Sequence, residues 1–132
     1  MKFFIDNCLA PRLANALDAL DDQNRVIALR ERFSPDAKDS DWLRELGKEG
    51  DWVVVSGDPR IARGRHEREA WLQSRLTAFF LEPGWTNFGF WTQASKLIQW
   101  WPIIVKQAEV IRGAAGFFVP VKGAKLRQVL PR

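Results

Sequence analysis

The sequence predicts an α/β fold of three layers, with helices on both faces of a mostly parallel sheet. Three observations predict it. Short unbroken apolar runs recur, at Phe3-Phe4-Ile5, Val53-Val54-Val55 and Ala78-Phe79-Phe80-Leu81, as strands buried on both faces require. Between the runs, apolar residues return at helical spacing. Two of the runs stop at an acid, Asp6 and Asp58, and ligands of open α/β sheets bind beyond the carboxyl ends of the strands.

The 132 residues are expected to form one domain, 1–132, large enough for a core. With 46% apolar and 27% charged residues, the composition excludes a disordered chain. The one cysteine, Cys8, excludes an internal disulfide and fits a reducing compartment. Neither a signal peptide nor an apolar stretch of ~20 residues is visible, so a cytoplasmic protein with no membrane contact is expected. Charge is uneven. Residues 1–58 hold eight Lys/Arg and twelve Asp/Glu, and residues 59–132 hold twelve and four. An acidic part that holds cations beside a basic part that holds phosphates suits a metal-dependent nuclease.

After the first strand, Pro11 suits a first helical turn, and Leu13, Ala16, Leu17 and Leu20 carry a helix from Pro11 to Leu20. Val26 to Leu29 reads as the second strand, which closes a βαβ unit. A polar loop runs from Arg30 to Lys38. Asp39 or Ser40 is expected to cap the next helix, whose apolar face is Trp42, Leu43 and Leu46, with Gly47 and Gly50 closing it. Trp52 to Val55 is the third strand. A basic stretch follows, then a helix that carries Glu67, Ala70, Trp71 and Leu72, and a fourth strand from Thr77 to Leu81. Helical spacing from about Phe88 to Arg112 places Trp91, Ala94, Ile98, Trp101, Val105 and Ala108 in one stripe. Pro102 inside it is expected to kink or break the helix. That spacing makes Trp91 and Trp101 core residues and leaves Trp85 and Trp100 for a partner surface. Phe117 to Val121 is the last strand, and Pro120 is expected to put it at a sheet edge. A basic tail ends with Lys122, Lys125, Arg127 and Arg132.

Strands one and three can be neighbours where a doubly wound sheet reverses its winding. Asp6 and Asp58 then meet, and two carboxylates in a cleft are costly unless a proton or cation lies between them. Mg²⁺ is the hard cation suited to oxygen ligands, and Asp39 or Asp41 can complete the set. The plain alternative is that these acids cap loops and helices. His66 reads as a solvated loop histidine and Cys8 as a small buried side chain.

The segment Phe4-Ile5-Asp6-Asn7-Cys8-Leu9-Ala10-Pro11-Arg12-Leu13 resembles the opening of PIN-like domains. So do Asp39-Ser40-Asp41-Trp42-Leu43 and Val54-Val55-Ser56-Gly57-Asp58, in that order. Phe80-Leu81-Glu82-Pro83-Gly84-Trp85 and Trp100-Trp101-Pro102 resemble the small PIN-like group related to VapC-type toxins. The resemblance implies a three-layer PIN-like fold and an Mg²⁺- or Mn²⁺-dependent ribonuclease, often the toxin of a toxin–antitoxin pair. Asp6, Asp58 and either Asp39 or Asp41 are then the metal-holding, catalytic acids, with Asn7 orienting a carboxylate or a water. Many relatives carry another acid where this chain has Arg60, which leaves the fourth acid and a second metal open; Glu67 is a candidate substitute. Arg60, Arg63, Arg65 and Arg68 are candidates to hold an RNA backbone, and single-stranded RNA is favoured because its bases can stack on exposed aromatics. The partners to expect are RNA, an antitoxin protein and a second copy in a homodimer. Two other readings stand beside this one: an inactive PIN-like module that binds RNA or protein, and a receiver-like phosphotransfer domain, which also sets acids after strands one and three. Against the receiver, Glu82 stands where a Ser or Thr would follow the fourth strand.

Overall fold

A computed structural model describes residues 1–111 and 113–130; Arg112, expected at the end of the long helix, and Arg132 of the basic tail lie outside the described residues. Six strands form one sheet among those described: β1 Lys2–Ile5, β2 Arg25–Ala28, β3 Trp52–Ser56, β4 Thr77–Leu81, β5 Gly116–Val119 and β6 Arg127–Leu130. Their order is β2-β1-β3-β4-β5-β6. The first five are parallel and β6 pairs antiparallel with β5. The helices are α1 Pro11–Leu20, α2 Asp39–Glu49, α3 Pro59–Arg63, α4 Arg65–Ser74 and α5 Phe90–Val110.

Alternate side chains of each strand enter opposite cores, which is why the runs are apolar without interruption. Phe3, Ile5, Val53, Val55, Phe79 and Phe117 meet Leu13, Leu17, Leu97, Trp101 and Ile104 of α1 and α5. Phe4, Val54, Ala78, Phe80 and Phe118 meet Trp42, Leu43, Leu46, Ile61 and Trp71 of α2, α3 and α4. The sheet is thus the middle layer of three. Its winding reverses at β1, which has β2 on one side and β3 on the other, with Ile5 opposite both Ala28 and Val55.

Several expectations fail for identifiable reasons. Lys38, not Asp39 or Ser40, is the N-cap of α2, so Asp39 is its first helical residue. Gly47 lies inside α2 rather than ending it. A Cβ there would come within 3.0 Å of Ser74 Cα, so the glycine lets α2 and α4 approach closely. Gly116 sits within β5, where a Cβ would fall 2.5 Å from Trp71 Cη2. Helix α5 continues through Pro102. Pro102 and Ile98, four residues before it, are both exposed, so the carbonyl that loses its donor is on the side that water reaches.

The buried stripe of α5 is Gln93, Ala94, Leu97, Trp100, Trp101, Ile104 and Ala108, turned from the expected one. Trp91 is 82% exposed, whereas Trp85 and Trp100 are buried at 1% and 8%. Trp85 Nε1 donates to the Pro120 carbonyl at 3.1 Å, which ties the loop after β4 to the end of β5. That strand is not an edge, because β6, built from the tail, covers it, and Pro120 stands just past its last residue. No helix among the described residues is long and apolar enough to cross a membrane.

Candidate metal centre

Asp6 follows β1 and Asp58 follows β3, and the adjacency of these strands brings both to one edge of the sheet. Asp39 joins them from the first turn of α2, where the helix dipole favours a carboxylate. One oxygen from each of the three lies within 4.8 Å of the others. Asp41, two residues on, lies outside the cluster: its side chain is exposed, 3.8 Å from Arg44. A two-residue step turns a helix by roughly 200°, so one of the two acids faces the site and the other faces solvent. Glu67, in the first turn of α4, is not in the cluster either.

Each acid is held from a different direction. Asp6 is buried; its Oδ1 accepts the Asn7 backbone N–H at 2.5 Å and its Oδ2 accepts Ser56 Oγ–H at 2.5 Å. The Ser56 hydroxyl also accepts the Asp58 backbone N–H at 3.0 Å, so it couples the two strand-end acids. Trp42 Nε1 donates to Asp39 Oδ1 at 3.1 Å. Asp58 caps α3 by accepting the Arg60 backbone N–H at 2.9 Å, and its Oδ2 accepts Arg60 Nη2 at 2.7 Å. Asp58 is therefore both a helix cap and a member of the cluster. Gly57 N–H donates to Cys8 Sγ at 2.8 Å, which pins the loop before Asp58. Burial pushes the Cys8 thiol up to about 12, so it stays protonated.

The electrostatics follow from this packing. Burial raises the Asp6 carboxyl, against the hydrogen bonds of Ser56 and Asn7. Burial, and then the charges of Asp6 and Asp58, push Asp39 up to about 7. The hydrogen bonds from Arg60 hold Asp58 below its usual range. Burial and the two neighbouring carboxylates thus make Asp39 the acid that holds its proton more tightly, while Arg60 favours the charged form of Asp58.

All-oxygen donors suit a hard cation such as Mg²⁺ or Mn²⁺. One oxygen from each acid lies within 4.8 Å of the others, close enough for the three to share an ion that also keeps waters. The residues fit a divalent ion, with Asp6, Asp39 and Asp58 as its holders.

The other expected site residues fall less tightly. Asn7 meets Asp6 through its backbone N–H; its side chain donates from Nδ2 to the Pro35 carbonyl and accepts Arg30 Nε–H at 2.8 Å. Arg60 stands in the site itself. The Arg63 guanidinium lies 5.0 Å from the Phe118 ring. Arg65 and His66 are exposed on α4, which places His66 on a helix rather than in a loop. Arg68 Nη1 donates to the Ala62 carbonyl at 2.8 Å, bracing α3. Ser56, Trp42 and Arg30 were not legible as site residues; only the place of Ser56, two before Asp58 at a strand end, hinted at its part.

A family model described as "PIN like domain" matches residues 1–83, the segment that holds all three acids. Neither the curated proteins nor the solved structures contain a match.

Proposed function

The chain belongs to the PIN-like domain family, and from that membership we propose that it is a divalent-metal-dependent endoribonuclease acting on single-stranded RNA. The observation that carries this reading is the convergence of Asp6, Asp39 and Asp58 within 4.8 Å. Among the described residues, Arg60 is the one cation within 4 Å of these carboxylates. A cation bound there would polarise a phosphodiester and lower the pKa of a water. Asp6, Asp39 and Asp58 would hold it. Ser56 keeps Asp6 and Asp58 in register, and Trp42 fixes the rotation of Asp39. Arg63 and Arg65, exposed just after the site, would meet the RNA backbone.

A toxin role, with an antitoxin partner, is supported only by the resemblance of the 80–85 and 100–102 segments. One observation favours a second reading, a binding module without activity: Arg60 engages both oxygens of Asp58. The deciding experiment incubates the purified full chain and a single-stranded RNA with Mn²⁺, with and without chelator. Cleavage that the chelator stops is expected. RNA bound but left intact at millimolar Mn²⁺ would replace the nuclease with the binding module.

A further inference from the structure

The bonding of Arg60 deepens the reading of the acid cluster as a metal site, on which this inference rests. Its Nε donates to Asp58 Oδ1 at 3.1 Å and to Oδ2 at 3.2 Å, and its Nη2 donates to Oδ2 at 2.7 Å. The same Nη2 lies 3.9 Å from Asp39 Oδ2. One guanidinium thus occupies both oxygens of one acid and faces the second. A divalent ion held by Asp58 and Asp39 would need oxygens of these same two carboxylates. The α3 cap does not require the guanidinium, because it uses the Arg60 backbone N–H, which almost any residue supplies. With its side chain 68% exposed, Arg60 is held inward chiefly by charge.

We propose that Arg60 is a built-in counter-cation that competes with the divalent ion for Asp58 and Asp39 and is displaced outward when the ion binds. Without metal, it offsets the repulsion between carboxylates that no other cation among the described residues pairs with. Once displaced, the guanidinium remains tethered in the first turn of α3, beside the ion, where its fork suits a phosphate. Metal loading and the presentation of a phosphate-binding group then become one event.

The test measures binding of Mn²⁺ alone to the full chain, without RNA, through the electron paramagnetic resonance signal of the free ion. Arg60→Ala should bind Mn²⁺ roughly three- to tenfold tighter, the scale of one exposed bidentate ion pair. Its metal-free melting temperature should drop, and its rise on adding Mn²⁺ should exceed that of the parent. Arg60→Gln, which keeps a polar side chain, though a shorter one, without charge, should show the same gain and serves if the alanine variant does not fold. Folded variants that bind Mn²⁺ no more tightly than the parent would overturn the competition while leaving the metal site standing. If the parent and both variants all fail to bind millimolar Mn²⁺, the metal site itself is refuted and the competition with it.

Discussion

The edge that carries Asp6, Asp39 and Asp58 and the C-terminal unit of α5, β5 and β6 are held by opposite kinds of contact. At the edge, three carboxylates lie within 4.8 Å of one another, and burial raises the carboxyls of Asp6 and Asp39. In the C-terminal unit the contacts are apolar: Leu97, Ile104 and Val119 are fully buried, and Phe117 stacks on Phe79 at 5.2 Å. The family match ends at residue 83, so it covers the first region and stops before α5. The difference teaches where the chain accepts local conflict. A consistent core elsewhere lets one edge keep an arrangement that stability alone would remove.

If that division is right, substitutions at the two places should separate function from stability. The largest effect expected is on cleavage. Asp6→Asn should lower Mn²⁺-dependent RNA cleavage by more than about a hundredfold, since even the groups that merely orient a metal's ligands cost up to that much. The metal-free protein should melt no lower than the parent, because a buried carboxylate has gone. A marked loss of stability with activity retained would make Asp6 a structural residue. Leu97→Ala reverses the pattern. It should cost about 2–5 kcal/mol of stability by denaturant titration, with cleavage per folded molecule unchanged. Equal loss in both measures would dissolve the distinction.

A smaller effect concerns pH. Asp39 is pushed up to about 7 in the fold from its ordinary 3.8. The folded state therefore binds this proton more tightly than the unfolded state does. The metal-free protein should lose stability as pH rises between these values and level off above them. Denaturation midpoints at pH 5 and pH 8 check this: the midpoint should be lower at pH 8, and Asp39→Asn should flatten the difference. A midpoint that rises with pH would contradict the account. The smallest effect is at Trp91, 82% exposed, where Trp91→Ser should change stability by no more than about 0.5 kcal/mol. A loss several times larger would return it to the core.

Much of the first region could be read from the chain because its signals are local. Pro11 and the leucines after it bound α1 at Pro11–Leu20, and unbroken apolar runs mark strands covered on both faces. What escaped depends on rotation or on distant partners. Asp39 and Asp41 share one helical turn, and only the docking of α2 through Trp42 and Leu46 turns Asp39 to the site. In α5, apolar residues occur nearly all round, so periodicity could not choose between Trp91 and Trp100; the contacts of Trp100 and Trp101 with the sheet layer decide it. The tail strand β6 has two half-buried residues and two exposed ones, too weak a pattern to announce itself. Nothing in the sequence showed that Arg60 would turn back onto Asp58.

The proposed metal centre at Asp6, Asp39 and Asp58 is tested by comparing Asp39→Asn with Asp41→Asn, in Mn²⁺ binding and in cleavage of one single-stranded RNA. The two acids are two residues apart in one helical turn, yet only Asp39 belongs to the cluster. Asp39→Asn should lose Mn²⁺ affinity and cleavage together, while Asp41→Asn should keep both near the parent's values. Loss at Asp41 with retention at Asp39 would contradict the account.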